Sequence, residues 1–302
     1  MRFCGALLFA GSLLAAGGDC PRQWFLNAHN SYPERGRGAD RLDRARRAGL
    51  SVFELDLAWS EARGRSVISH STKLAGGEPA IEEYFFTPLL PELRSSPRWQ
   101  PGILLFFDFK AADPRPVKEA YALLDKYREL LTTAGKRGDA PGETPLRFGP
   151  LTVILTGDNS AIAQFEELAP PGEPYLAIGN REPPERKFQE NVAAYIPQPA
   201  TAFYRVFNFE WKHIERDPNP KAGAFTPAER ARLEALVKLA HAKGYWVRTW
   251  TLNATSLDWG TDHNFGTKQG LLERWRACLE AGVEMVATDE YELGGEFLAS
   301  QP

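Results

Sequence analysis

The sequence predicts a single-domain (β/α)8 TIM barrel. Three observations lead there. Short apolar runs rich in β-branched and aromatic residues recur along the chain, helical patterns lie between most of them, and the residues best suited to chemistry stand at the C-terminal ends of the runs. A chain of 302 residues, 43% hydrophobic and 25% charged, has the balance of an ordinary globular protein and the length of one such barrel.

The first residues read as a leader rather than as fold. Arg2 supplies a positive start, Ala6–Ala16 is an apolar run too short to span a bilayer, and small residues Ala15, Ala16, Gly17 and Gly18 follow. Residues 1–17 are therefore expected to be a signal peptide and 18–302 the barrel, periplasmic or secreted. A lipid anchor on Cys20 is the lesser expectation, because Asp19 directly before it is a poor fit to the small residues such a site wants. Loss of Arg2 takes the net charge from −3 to −4, with no electrostatic footprint for nucleic acid. No transmembrane segment is expected in the mature chain. Two cysteines then remain, Cys20 and Cys278. In an oxidising compartment they are either a disulfide closing a very long loop or a free pair with Cys278 buried.

Eight strand candidates follow: Trp24–Ala28, Val52–Leu57, Ile103–Phe109, Leu151–Thr156, Tyr175–Ile178, Tyr204–Phe209, Tyr245–Leu252 and Val283–Ala287. Ala39–Ala48 carries Leu42, Ala45 and Ala48 on one helical face before Gly49. Pro116–Leu131 places Val117, Ala120, Leu124 and Tyr127 at helical spacing. Thr226–Lys243 opens with a capping Thr226, Pro227 at the first helical position and Glu229 completing a capping box, and Gly244 stops it. Lys268–Ala281 is a further helix, ended by Gly282. The Pro-rich stretch after Asn180 offers no crossover helix, so irregularity is expected around the fifth and sixth strands. Thr132–Gly149 and Thr255–Thr267 read as loops.

A barrel of this kind puts its site at the C-terminal ends of its strands. His29 and Asn30 end the first, Glu54 and Asp56 the second, and Asp108 and Lys110 the third. Trp250 is near the end of the seventh and Asp289 lies just beyond the eighth. Val67–Ser69 is a short strand able to fold back as a hairpin and deliver His70.

Glu54 and Asp56 are two apart on a buried strand, so both point to one face. Two carboxylates in an apolar barrel repel and lose hydration unless a cation lies between them. With Asp108 and the Asn30 amide oxygen they form an all-oxygen shell, which suits Mg²⁺ or Ca²⁺ rather than zinc. The competing reading pairs Glu54 or Asp56 with Lys110 or Arg248 and needs no cation. His29 and His70 are then the proton carriers, since imidazole titrates near neutrality. His241 reads as on the exposed side of its helix, His213 follows a strand and His263 is in a loop, so these three read as solvated or structural. A cation, two histidines and a lysine suit a phosphodiester. No G-x-S-x-G elbow, Walker loop or dinucleotide fingerprint is present.

AHNSY, FELDL and ISH resemble the first histidine, Glu-x-Asp and second histidine of the phospholipase C-like phosphodiesterase superfamily, which includes phosphatidylinositol phospholipases C and glycerophosphodiester phosphodiesterases. DFK resembles the acidic-x-Lys element of the latter, with Asp108 where Glu is frequent. WTLN at Trp250–Asn253 and GVEMVATDEYE at Gly282–Glu292 are similar to the last two strands of the group. The longer run FNFEWKH … LVKLAHAKGYWVRTW … AGVEMVATDEYELGGEFL looks most like bacterial relatives of the altered inheritance of mitochondria protein six family, a resemblance that covers nearly the whole mature chain.

The resemblance implies that Asn30, Glu54, Asp56 and Asp108 hold the metal. It implies that His29 acts on the attacking oxygen and His70 on the leaving group, or the reverse. It gives Lys110 a phosphate contact, Trp250 an apolar wall and Arg248 a second anion contact. The implied substrate is a phosphodiester, lipids included, with peripheral membrane contact and cleavage through a cyclic phosphate or by water. Two other classes stay open: a barrel that binds without turnover, and a glycosidase using Glu54 and Asp108, which would need neither metal nor histidines.

Overall fold

Strand β2 (Val52–Ser60) shows how the chain builds its interior. Val52, Glu54 and Asp56 alternate with Phe53, Leu55 and Leu57, and only the second set joins the large outer core. The inner set starts apolar and becomes acidic towards the C-terminal end. The same alternation recurs in β4 (Ile103–Phe109), with Leu104, Phe106 and Asp108 inward. The structure, a computed structural model, describes residues 20–33, 40–96, 102–136, 145–216, 223–250, 252–254 and 264–301. The leader expected over 1–17, His263 and most of Thr255–Thr267 lie outside the described residues.

The remaining barrel strands are β1 (Leu26–Ala28), β7 (Leu151–Gly157), β8 (Ile178–Arg181), β9 (Tyr204–Glu210), β10 (Trp246–Trp250) and β11 (Met285–Thr288). Parallel pairing runs β1-β11-β10-β9-β8-β7-β4-β2, and β1 pairs β2 to close the ring. This is the eight-stranded parallel barrel that the sequence predicts. The strand β3 (Arg65–Ile68) folds back antiparallel on β2, with Ile68 opposite Leu57, as Val67–Ser69 suggested.

Helices α1 (Arg41–Arg47), α2 (Thr87–Ser95), α3 (Pro114–Lys126), α4 (Asn159–Leu168), α5 (Pro227–Ala242) and α6 (Lys268–Ala281) cover the barrel, and α7 (Tyr291–Ala299) follows the last strand. The Thr226–Glu229 capping box forms as expected. One core lies between strands and helices; a smaller one of Trp24, Val52, Leu104, Phe106, Ile154, Val206, Trp246 and Met285 fills the N-terminal half of the barrel.

Four features differ from the sequence reading or refine it. The fifth strand is Ile178–Arg181 rather than Tyr175–Ile178, because Tyr175 exchanges backbone hydrogen bonds with Ala134 and so extends the ribbon of β5 (Thr133–Ala134) and β6 (Leu146–Arg147). The β8-to-β9 crossover holds only a short 3-10 turn, Val192–Tyr195, and a register shift falls at Gly179/Asn180, which is the expected irregularity. Cys20 and Cys278 are both free: Cys20 packs on the small core at the barrel's N-terminal end, whereas Cys278 is buried in the helical layer on α6. His241 is not on an exposed face but sits 2.9 Å from Glu284.

Candidate active site

Register places the acidic groups. Asp56 on β2 stands directly opposite Asp108 on β4, and Asp108 opposite Thr156 on β7. One layer below, Glu54 stands opposite Phe106. Oxygens of Glu54, Asp56 and Asp108 lie within 4.8 Å of one another. A cleft of about 520 Å³ opens above them and is lined by His29, Asn30, Glu54, His70, Asp108, Lys110, Arg248 and Trp250, among others. All the residues that the sequence singled out therefore converge, with Asp56 buried just beneath the floor.

The ion-pair reading holds for Glu54 and, through a lysine shared with Asp108, in part for Asp56. Arg248, 2% exposed, donates through Nη2 to Glu54, through Nε to Asn27 at 3.3 Å and through Nη1 to Asn208 at 3.2 Å, above the Phe106 ring. Burial alone would raise the Glu54 pKa, but Arg248, His29 and Lys110 outweigh it and hold the group ionised. The same contacts turn Arg248 towards the barrel wall and Glu54.

Lys110 Nζ lies 2.8 Å from Asp108 and 3.2 Å from Asp56. The second contact is close enough to be an ion pair, yet its direction makes no hydrogen bond. Among the described residues, neither Asp56 oxygen receives one. Burial, with the charge of Asp108, pushes the Asp56 carboxyl up to about 8, and Asp108 is raised too. Buried oxygens without donors are costly. Hard oxygen donors left in that condition fit a divalent cation, so the residues present agree with the metal that the sequence implies.

The proton-handling side is built around β1. Asn30 has φ 57°, a left-handed turn that sends the chain off the end of the strand. Its amide nitrogen lies 3.1 Å from Asp289 Oδ1 and 2.7 Å from His29 Nδ1, leaving the carboxamide oxygen as the potential ligand atom. His29 Nδ1 is also 3.3 Å from Asp289 Oδ2, and Nε2 is 3.8 Å from Glu54. Nδ1 thus donates to Asp289 when it carries the hydrogen and accepts from Asn30 when it does not. Proton exchange at Nε2 belongs to the tautomer whose Nδ1–H faces Asp289.

Burial works to lower the His29 pKa, but Asp289 and Glu54 outweigh it and the net direction is up. His70 is exposed at the mouth, 6.1 Å ring to ring from Tyr32. Partial desolvation, then the charges of Lys110 and His29, push it down to about 4. Trp250 stands 6.5 Å from the His29 ring and walls the cleft.

Asp289 is the residue for which the sequence reading gave no role. It lies just past β11, accepts from Asn253 Nδ2 at 2.8 Å, and meets Arg41 at 3.4 Å. Asn253 in turn accepts from the Asp289 backbone N–H at 2.7 Å and from Thr288 at 3.0 Å. Position alone, at a barrel strand's C-terminal end, was the available signal. Glu182, Arg186 and Glu210 also line the cleft unforeseen. His213 lines it as well, but both ring nitrogens face backbone oxygens, of Glu210 at 2.8 Å and Glu185 at 3.2 Å, so the structural reading fits it.

No protein-family model and no curated protein matches the chain. Solved structures do. The chain is similar to a Ca²⁺-dependent phosphatidylinositol-specific phospholipase C from Streptomyces antibioticus, at 16% identity and TM-score 0.53, over 93% of this chain and 98% of that one. It is also similar to a glycerophosphodiester phosphodiesterase from Agrobacterium tumefaciens, at 11% identity and TM-score 0.50, over 91% and 99%. At such identities the likeness is one of fold. The chain is a single-domain (β/α)8 barrel with the fold of the phospholipase C-like phosphodiesterases.

Proposed function

We propose that this chain is a divalent-cation-dependent phosphoric diester hydrolase acting on a glycerophosphodiester or a phospholipid. The observation that carries the reading is the meeting of the His29–Asp289 pair, the Glu54–Asp56–Asp108 cluster and Lys110 at one cleft. A glycosidase needs one carboxyl able to give a proton, whereas Arg248 at Oε2 holds Glu54 ionised, which leaves its other oxygen open to a cation but no proton to donate.

Glu54, Asp56, Asp108 and the Asn30 oxygen would hold Mg²⁺ or Ca²⁺. When bound, the ion supplies positive charge against the phosphoryl oxygens and so favours the charge that builds up in the transition state. Lys110 adds a second cation at the same edge of the cleft. His29 takes the proton of the attacking oxygen at Nε2, and Asp289 behind Nδ1 stabilises the imidazolium that forms. His70, across the mouth, gives a proton to the departing alcohol oxygen, or the two exchange roles: His70, pushed down to about 4, is a free base at neutral pH, and His29, raised by Asp289 and Glu54, holds a proton to give. A hydroxyl next to the phosphate on the substrate would attack first and give a cyclic phosphate; water is the alternative nucleophile. Trp250 forms the apolar wall.

Export belongs to the same proposal and rests on Arg2 and the apolar run Ala6–Ala16. So does peripheral contact with a lipid surface. Among the described residues, no helix is long and apolar enough to cross a membrane.

The test is an assay of purified mature protein on glycerophosphodiesters, phosphatidylinositol, lysophospholipids and sphingomyelin, in EDTA and after Mg²⁺ or Ca²⁺ is restored. Cleavage of at least one substrate only with the cation is expected. Full activity in chelator would contradict the proposal.

A further inference from the structure

A second cavity, of about 450 Å³, lies beside the catalytic cleft, and the hydrolysis described above makes no use of it. It exists because the β8-to-β9 crossover has no α-helix to pack there. A Pro-rich strap covers the gap instead. Glu182, Pro183 and Arg186 line both cavities, so the two are joined along a shared wall.

The polar groups of this cavity divide into those that hold the strap and those that do not. The Tyr195 hydroxyl receives the Gln189 backbone N–H and the Tyr245 hydroxyl donates to Pro199 at 2.9 Å, so both are engaged in fixing the strap. Arg181 is different. Its guanidinium lies 4.0 Å over the Tyr204 ring, which sets its plane. The half-buried guanidinium also meets the Tyr245 hydroxyl, but its Nε is buried and, among the described residues, meets no hydrogen-bond acceptor. A buried cationic donor without an acceptor is costly, and it marks a place where an acceptor belongs. Arg186, exposed on the shared wall, is a second cation beside it. The carboxylate of the lining, Glu182, is 3.4 Å from the Asn208 amide and interacts with the charge of Arg186, and Glu166, outside the lining, interacts with that of Arg181, so an anion held here competes with both.

We infer that this cavity is an anion-recognising subsite, in which Arg181 and Arg186 hold a second negatively charged group carried by the substrate's own alcohol. The inference rests on the hydrolase reading for its substrate. A diester has two alcohol arms, and the shared wall gives one of them a path from the phosphate at Lys110 into the side cavity. Prolines 183, 184 and 197 stiffen that wall and reduce the ordering needed on binding.

The experiment is calorimetric binding to the full chain carrying His29→Ala, so that turnover plays no part. The two probes are sn-glycero-3-phosphoglycerol and the same molecule bearing a terminal phosphate monoester. The phosphorylated probe is expected to bind at least tenfold more tightly, and Arg186→Ala or Arg181→Gln to cut that ratio below threefold. Equal affinity for the two probes, or a ratio that survives Arg186→Ala, overturns the inference. The exposed Arg186 keeps the test decisive if Arg181→Gln fails to fold. Discrimination between the probes in a protein whose wild type cleaves no diester would support the subsite and count against the hydrolase reading.

Discussion

Asp56 and Asp108 stand opposite each other in register on adjacent parallel strands, and the Lys110 ammonium reaches both, at 3.2 and 2.8 Å. One lysine shared by two neighbouring carboxylates, with Glu54 behind them, leaves negative charge in a buried place. Burial and that repulsion hold the Asp56 carboxyl at about 8.

Asp56→Asn is therefore expected to stabilise the cation-free protein while removing its response to cation. In EDTA at neutral pH the variant should melt above wild type, because folding no longer forces a buried carboxyl raised to about 8 to take up a proton. Saturating Mg²⁺ or Ca²⁺ should raise the wild-type Tm by several degrees, since a ligand that binds only the folded state stabilises it by mass action. The variant should respond little. Thermal melts with and without cation read both effects.

Arg248→Met leaves Glu54 buried without its partner. The expected cost is about 3–5 kcal/mol, the usual range when one member of a buried pair is removed. Adding Glu54→Gln should recover at least half of it. Urea melts of the two single variants and the double decide the matter; equal stability of single and double variants would show that Arg248 acts through Asn27 and Asn208 instead.

The His29–Asp289 pair has a definite pH signature. His29 is raised above its ordinary 6.5, so its contribution is fully present below 6.5 and is lost as pH rises through the higher folded-state value. Asp289 is lowered below its ordinary 3.8, so its contribution is present above 3.8 and is lost as pH falls through the lower folded-state value. The coupling between the two, from a double-mutant cycle of His29→Gln and Asp289→Asn in EDTA, should be greatest between about 3.8 and 6.5 and fall away at alkaline pH. Its size there should fall in the range of about 0.5–3 kcal/mol that side chains in contact show in such cycles. A coupling independent of pH would mean that the contact is not ionic.

Gly157 closes β7 at φ +89°, and a Cβ built on it would collide with the Phe109 backbone oxygen and come within 2.7 Å of Asp108 Oδ1. Gly157→Ala is thus strained in backbone and displaces a candidate ligand, at a cost of about 1–3 kcal/mol in stability. The activity should need more cation to reach half-maximum. An unchanged cation requirement in a destabilised variant would detach this glycine from the site.

The barrel was legible because its signals are local. Eight apolar runs with helical stretches between them, and the Thr226–Glu229 box, need no tertiary information to be seen. Tyr175 was assigned to the wrong sheet because an apolar run does not say which strand it pairs with, and only the fold shows Ala134 beside it. Helices α2, α4 and α7 went unread; α2 starts in a run rich in aromatic residues and carries Pro91, which mask a helical pattern. Within the site, His29, Asn30, Glu54, Asp56 and Asp108 were legible from strand ends and parity. The contacts that orient them were not. Asp289 meets His29 across 260 positions of sequence, and Arg248 meets Glu54 across 194, separations over which no spacing rule operates.

The central claim is that His29, His70 and a cation at the carboxylate cluster together cleave a phosphodiester. The most direct measurement is the turnover of a glycerophosphodiester by wild type, His29→Ala and the His29→Ala/His70→Ala double variant, each with EDTA and with restored Mg²⁺ or Ca²⁺. Wild type should turn over only with cation, and His29→Ala should lose about two to four orders of magnitude in kcat, the usual contribution of general acid–base catalysis. A double variant that remains active, or a wild type indifferent to chelator, would contradict the account.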